Sequence, residues 1–196
     1  MNIEKRAFEA TIEVRNEGDE PMVRGYASVF DKLSENLGGF REIIAPGAFD
    51  EVLNDDVRAL FNHDPNLILA RTKSGTLRLS VDDNGLAYEF TPPNTSTGRD
   101  LVESMKRGDV SQSSFAFTVD SDEWSEDQEG RVLRTITKMK RLLDVSPVTY
   151  PAYPDATVGM RGLDAFMKTK TENTGNVEIE KLKLRLLEIG NTNDPE

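Results

Sequence analysis

Short apolar segments separated by turn residues fill the middle of the chain and restrict it to a fold rich in β-strands. Leu67–Ala70, Thr76–Val81 and Leu86–Phe90 each have the length and composition of a strand. Lys73-Ser74-Gly75 separates the first two, and a turn containing Asn84-Gly85 separates the last two. Asn-Gly between alternating segments is a strong signal for a tight hairpin. The sequence therefore predicts a β-meander or the wall of a barrel.

The same alternation of apolar and polar residues predicts strands elsewhere in the chain. The first two are expected to form a hairpin, because Glu17-Gly18-Asp19-Glu20-Pro21 between them is rich in turn-forming residues. A further strand is expected in the stretch that follows Asp109. The other predicted strands are Thr11–Val14, Met22–Phe30, Arg41–Ile44, Val57–Phe61, Val132–Lys140 and Leu142–Val148.

Three short helices are predicted between these strands. Phe49, Val52 and Leu53 have the i, i+3, i+4 spacing of one helical face. Ser96 or Thr97 is suited to cap the second helix. The three helices are predicted over Pro46–Leu53, from about Arg99 to Arg107, and over Gly159–Lys168.

The end of the chain differs in composition from the rest. Thr169–Asn176 is polar and is expected to be a linker, and Val177–Ile189 has the pattern of an amphipathic helix. We therefore expect one domain over residues 1–168 and a tail over residues 169–196. Within the domain, Asp120–Gly130 is rich in Ser, Asp and Glu and is expected to be a mobile acidic loop.

Charge and residue usage exclude several kinds of function. The net charge of −11 repels nucleic-acid phosphates, so we expect no nucleic-acid partner. The absence of cysteine rules out disulfides, a thiolate nucleophile and a cysteine metal site. With a single histidine, a multi-histidine zinc site within one chain is also excluded. No apolar run approaches the ~20 residues of a membrane span, and the N-terminus lacks the apolar region of a signal peptide. We expect neither a metal nor another cofactor.

Three serines lie close together in a stretch that otherwise has strand character. Ser111, Ser113 and Ser114 precede Phe115-Ala116-Phe117, although serine is disfavoured in strands. Such hydroxyls more commonly form local hydrogen bonds to the backbone in a turn or at a strand edge. The other possibility is that one of them is a nucleophile held on a rigid support.

A serine nucleophile needs a base, and His63 is the one imidazole that the chain offers. A lone histidine is usually structural, but this one follows a predicted strand, where a side chain can point into a cleft. A base of this kind must be oriented by an acceptor. Asp144 lies in an apolar strand, where an acid is costly unless it is paired. Asp64 is the competing acceptor, although adjacent residues on extended backbone point apart.

Seven ordered segments carry a resemblance to a known family. None of them is decisive alone, but the ordered set is specific and covers roughly residues 5–160. The segments are Ile44–Phe49, Ala59–Asp64, Gly75–Leu79, Gly98–Leu101, Lys106–Val110, Ser113–Phe117 and Asp144–Ala152. With this set the chain strongly resembles the prohead proteases of tailed bacteriophages, which are serine peptidases of capsid maturation.

The resemblance implies an α+β fold like that of the herpesvirus assembly proteases, with a mostly antiparallel β-barrel surrounded by helices. Carried over by position, His63 is the base, Ser114 is the nucleophile and Asp144 is the third member. Two residues depart from the family pattern. The family often has Gly at the position of Ala116, and it usually has Glu at the position of Asp144, so the reach to His63 is one methylene shorter here.

The predicted function is therefore that of a serine endopeptidase. The resemblance implies that it cleaves the scaffolding portion of the major capsid protein, and itself, inside the assembling prohead in the host cytoplasm. Herpesvirus relatives act as dimers, so a homodimer is expected by analogy only. The alternative is a non-catalytic scaffold or capsid-binding protein of the same fold.

Overall fold

The computed structural model describes residues 3–8, 12–17, 20–150 and 159–171. The chain divides into two compact units, Met1–Val158 and Gly159–Glu196. The described strands are β1 (Glu4–Phe8), β2 (Ile12–Glu17), β3 (Glu20–Val29), β4 (Phe40–Ile44), β5 (Arg58–Phe61), β6 (Asp64–Arg71), β7 (Leu77–Val81), β8 (Gly85–Phe90), β9 (Gln112–Glu126) and β10 (Val132–Val148), and helix α1 spans Ser96–Arg107.

The described part of the second unit is one helix, α2, over residues 159–171. It confirms the helix predicted over Gly159–Lys168 and continues beyond it. The linker predicted over Thr169–Asn176 is wrong at residues 169–171, which belong to α2. Its remaining residues 172–176 and the helix predicted over Val177–Ile189 lie outside the described residues.

The strands of the first unit form two sheets. One has the order β1-β9-β10-β5-β6, and β4 pairs with β10 outside this path. Its pairs are antiparallel except that β10 runs parallel to β4 and to β5. The other sheet has the order β2-β3-β8-β7 and is antiparallel throughout. The long strand β10 therefore has three strand partners and is the centre of the first sheet.

The predicted α+β class is confirmed, but the predicted barrel is not closed. Among the described residues, hydrogen-bonded pairing gives two separate sheets rather than one continuous ring. The sheets are held together by side chains instead, because both contribute to one hydrophobic core. Phe115 of β9 and Tyr88 of β8 are fully buried in it, and Phe49 packs edge-on against Phe115 with ring centroids 5.7 Å apart.

The helix predicted over Pro46–Leu53 is wrong. The segment consists of consecutive turns, with backbone bonds from Ala48 to Ala45 and from Val52 to Phe49. Gly47 has a φ of 84°, which is outside the helical region and interrupts a helix at its start. The predicted apolar face is still used, since Phe49 and Val52 are buried.

The acidic loop predicted over Asp120–Gly130 is also wrong over most of its length. Residues 120–126 continue β9 and pair with the first half of β10, which pairs with β4 on its other edge, so the three strands form an arm whose turn begins at Asp127. Trp124 lies on this arm, where its ring centroid is 5.0 Å from that of Phe40 and 5.6 Å from the guanidinium carbon of Arg134. The two strands predicted over Val132–Lys140 and Leu142–Val148 are the single strand β10, which is interrupted by register shifts.

Helix α1 agrees with the prediction except at its first turn. The cap is Thr95, whose side chain accepts a hydrogen bond from the backbone of Gly98, rather than Ser96 or Thr97. Gly108 ends the helix with a φ of 82°, and its N–H donates to the carbonyl of Met105. The helix therefore stops shortly before β9, which carries Ser113 and Ser114, while Ser111 lies in the connection that precedes the strand.

Candidate active site

His63 lies on the two-residue turn between β5 and β6. Asn62 and His63 have φ values of 55° and 58°, and the flanking Phe61 and Asp64 are paired. Positive φ at both central residues is the arrangement of a type I′ hairpin. Asn62 ties this turn to the end of β10, because its backbone N–H donates to the carbonyl of Pro147 over 3.0 Å. The side-chain oxygen of Asn62 also accepts from the backbone of Thr149 over 2.9 Å.

Ser114 and Asp144 lie on the paired strands β9 and β10. Ser114 is directly opposite Ser146, and Asp144 is opposite Ala116. Since alternate residues of a strand share a face, Asp144 and Ser146 project on the same side of the sheet as Ser114. Ser113 projects on the other side, where its hydroxyl donates to the Tyr88 hydroxyl over 3.1 Å. Of the two adjacent serines, it is Ser114 that meets the histidine.

The structure brings the three predicted site residues together. His63 Nε2 is 2.7 Å from Ser114 Oγ, and His63 Nδ1 is 2.6 Å from Asp144 Oδ1. The competing acid Asp64 caps its own turn, because its Oδ1 accepts from the backbone and the side-chain amide of Asn66. The side chains of His63 and Asp144 are only 6% and 11% exposed. The shorter aspartate therefore reaches the imidazole, and the arrangement can move a proton away from a serine hydroxyl.

Two further groups contact this site and were not predicted from the sequence. Ser146 Oγ donates to Asp144 Oδ1 over 2.6 Å, and Ser114 Oγ is 2.9 Å from the backbone carbonyl oxygen of Arg6. The spacing of Asp144 and Ser146 along one strand could have revealed the first contact. The second arises because Ala7 of β1 pairs with Ser114, a register that no local sequence signal indicates.

A buried ion-pair cluster, formed by Glu4, Arg6, Glu42 and Arg134, anchors β1 beside the site. The Arg6 guanidinium contacts Glu4 over 2.6 Å and Glu42 over 2.9 Å. The Arg134 guanidinium contacts the same two carboxylates over 2.8 and 2.9 Å. At the margin of this cluster, Asp122 accepts from Arg134 over 2.6 Å. Because each carboxylate is shared by both cations, the cluster joins β1, β4 and β10.

The contacts in this cluster shift the pKa values of Glu4 and Arg134. Burial by itself would raise the pKa of Glu4, but the hydrogen bonds and charges of Arg134 and Arg6 hold that pKa below its ordinary value. Burial opposes the charge of Arg134, yet Glu4 and Glu42 raise its pKa. Glu4 and Arg134 are therefore both expected to be charged near neutral pH.

The described residues also bear on metal binding and on membrane crossing. Across the described ranges, no group of three or more His, Cys, Asp or Glu side chains is placed to hold a metal ion. No helix in the same part of the chain is long and apolar enough to cross a membrane.

Comparison with known families identifies the chain. The family model described as caudovirus prohead serine protease matches residues 9–177. The chain belongs to the caudovirus prohead serine proteases. Among individual relatives, the prohead protease of Enterobacteria phage HK97 is 29% identical over 163 residues, which cover 80% of this chain and 67% of the relative. This prohead protease is also similar to the structure of the bacteriophage T4 capsid assembly protease, with 9% identity, a TM-score of 0.38, and coverage of 71% of this chain and 97% of that one.

Proposed function

We propose that this prohead protease is an endopeptidase of the Ser–His–Asp type. Ser114 is the nucleophile, His63 is the general base and acid, and Asp144 orients the imidazole. The observation that carries the proposal is the continuous chain of contacts from Ser114 Oγ through both ring nitrogens of His63 to Asp144 Oδ1, with distances of 2.7 and 2.6 Å. These distances lie within the range that proton transfer requires.

The reaction follows from this order of contacts. Ser114 Oγ attacks the carbonyl carbon of the scissile peptide bond while His63 Nε2 takes the hydroxyl proton. The Nδ1–H of His63 donates to Asp144, whose charge stabilises the imidazolium that forms. His63 then gives the proton to the leaving amine, and an acyl–enzyme remains on Ser114. A water molecule, deprotonated by His63, releases the new carboxyl group and restores the hydroxyl.

The hydroxyl of Ser114 has two acceptors and one hydrogen. Both His63 Nε2 and the carbonyl oxygen of Arg6 lie within hydrogen-bonding distance of Ser114 Oγ. Proton transfer to His63 requires the hydrogen to point at the imidazole and not at Arg6. The imidazole must therefore be neutral, with its hydrogen on Nδ1, when the attack begins.

The proposed substrates are the scaffolding portion of the major capsid protein and the protease itself, inside the assembling prohead in the host cytoplasm. The name of the HK97 relative, a prohead protease, supports this assignment. We further propose that residues 1–168 form the catalytic domain and that residues 169–196 dock the protease within the prohead. The more specific likeness to the herpesvirus assembly proteases and a homodimer stay predictions.

The test uses the major capsid protein encoded by the same phage as substrate. Purified protease is incubated with it, and both chains are followed by intact-mass spectrometry. We expect Ser114→Ala to fold and to cleave neither chain, and Ser113→Ala to cleave both. A truncation after Lys170 should still cleave the capsid protein. Cleavage by Ser114→Ala at the wild-type rate would contradict the proposed mechanism, and a wild-type protein that cleaves nothing would favour the non-catalytic scaffold.

A further inference from the structure

We propose that Ser146 is a positioning residue, which fixes the carboxylate of Asp144 so that Asp144 in turn fixes His63. This inference rests on the proposed function, because it assigns the support of the same proton path. Ser146 is fully buried, and its hydroxyl donates to Asp144 Oδ1 over 2.6 Å. The same oxygen faces His63 Nδ1 over 2.6 Å. One carboxylate oxygen therefore receives both hydrogen bonds.

The strand geometry makes this contact direct. Asp144 and Ser146 are two residues apart on β10 and share a face, and Ser146 lies directly opposite the nucleophile Ser114. The hydroxyl is consequently held on the face of the sheet that carries Asp144 and Ser114. A short side chain on a strand has little freedom to move away from this position.

Asp144 needs such a support because a carboxylate can rotate about its terminal bond. That torsion is broad and has no strong intrinsic preference. The donor from Ser146 restricts it to orientations in which Oδ1 lies toward both hydroxyl and imidazole. Without the hydroxyl, the carboxylate loses one of the two charge-assisted hydrogen bonds to Oδ1, and the ring of His63 loses part of its restraint. A displacement of about 1 Å at such a group can lower a rate by roughly 10²-fold.

A purely structural role for Ser146 gives a different expectation. Removing a fully buried hydroxyl and its hydrogen bond lowers the stability of a fold, whether or not that hydroxyl contacts the site. Ser113 provides the matched control, because it is as fully buried as Ser146 and lies on β9, the strand that pairs with β10. Its hydroxyl bonds Tyr88 rather than Asp144. A structural effect should appear in both variants, and an effect on the proton path only in Ser146→Ala.

The single histidine of the chain supplies a spectroscopic measurement that does not depend on activity. With ¹⁵N-histidine labelling, the ring N–H signals come from His63 alone, and the Nδ1–H signal reports its bond to Asp144. The variants Ser146→Ala and Ser113→Ala are compared with the wild type, with Asp144→Asn as the variant that removes the charge. Cleavage of the same phage's major capsid protein gives kcat and KM for each, and thermal unfolding confirms that each is folded.

We expect Ser146→Ala to lower kcat by roughly 10- to 100-fold with KM changed by less than about twofold. It should also shift or broaden the Nδ1–H signal. Ser113→Ala should leave the signal and kcat close to the wild type even if its melting temperature falls. A folded Ser146→Ala with wild-type kcat overturns the inference, and so does a lower kcat with an unchanged Nδ1–H signal. Cleavage by Ser114→Ala at the wild-type rate would instead contradict the proposed Ser–His–Asp mechanism itself. Failure of the inference about Ser146 can therefore be distinguished from failure of the proposed function.

Discussion

The buried ion-pair cluster gives a sharp prediction for Arg134→Met. Methionine fills a similar volume but carries no charge, so the carboxylates of Glu4 and Glu42 keep only Arg6 as a counter-charge. Both carboxylates are about 1% exposed, and the Arg134 side chain is 5% exposed, so water cannot replace the lost partner. Removing one member of a buried ion pair typically costs about 3–5 kcal/mol.

The expected loss is large enough to measure by unfolding. For a chain of this size, each kcal/mol corresponds to roughly 2–4 °C in Tm, so we expect Tm to fall by roughly 6–20 °C. Urea unfolding followed by circular dichroism gives the free energy directly. Arg131→Met is the matched control, because Arg131 begins the same arm and its side chain is 72% exposed, with ion pairs to Asp127 and Glu129. Its loss should cost less than about 1 kcal/mol.

The same variant should change the pH dependence of stability. In the wild type the pKa of Glu4 is lowered from its ordinary value of about 4.3. The charged carboxylate therefore stabilises the fold at pH values above that ordinary pKa, and this contribution is lost as the pH falls through the lowered pKa. In Arg134→Met, burial should outweigh Arg6 and raise that pKa, so the carboxylate costs stability as the pH rises. The difference in unfolding free energy should therefore be larger at about pH 7.5 than at about pH 4.5. A difference below about 1 kcal/mol, or one independent of pH, would refute this account of the cluster.

Three further predictions concern single residues. Asp144→Asn should lower kcat for capsid-protein cleavage by about 10⁴-fold, as in other triads. Asp64→Asn should leave kcat nearly unchanged, and the reverse result would make Asp64 the orienting acid. Gly98→Ala should lower the free energy of unfolding by about 1–3 kcal/mol, because its Cβ would clash with the carbonyl oxygen of Pro93. Wild-type stability in urea would contradict this close approach. Burial raises the pKa of Tyr88 well above its ordinary value, so in an alkaline ultraviolet titration Tyr88 should ionise only with unfolding, and its ionisation in the folded protein would disprove that burial.

The alternation of residues along a strand was enough to predict the geometry of the serines. Period two places Ser113 and Ser114 on opposite faces, and their hydroxyls contact Tyr88 and His63, respectively. The turn after β5 likewise follows from Asn62-His63-Asp64-Pro65, which is rich in turn-forming residues. Both are local features, in which neighbouring residues determine the backbone.

Features that depend on distant pairing could not be predicted in the same way. The contact of Ser114 with the Arg6 carbonyl depends on the register of β1 against β9, which involves residues more than a hundred positions apart. The outer half of β9 was not predicted as a strand, because residues 120–126 are mostly acidic or hydroxyl-bearing and lack the apolar alternation of a core strand. At Pro46–Leu53 the sequence predicts a helix that does not form. An apolar face at helical spacing is also compatible with a series of turns, which is the structure that forms around Gly47.

The central place of β10 also determines when the site can exist. His63 is carried by β5 and β6, and Ser114 by β9, and the two meet only across β10, which supplies Asp144. Among the described strands β10 is the last to be synthesised. A nascent chain that ends before β10 contains the proposed base and the proposed nucleophile, but neither Asp144 nor the strand that lies between them. On the proposed mechanism, proteolytic competence therefore arises late, when this final strand inserts between strands that have already been synthesised.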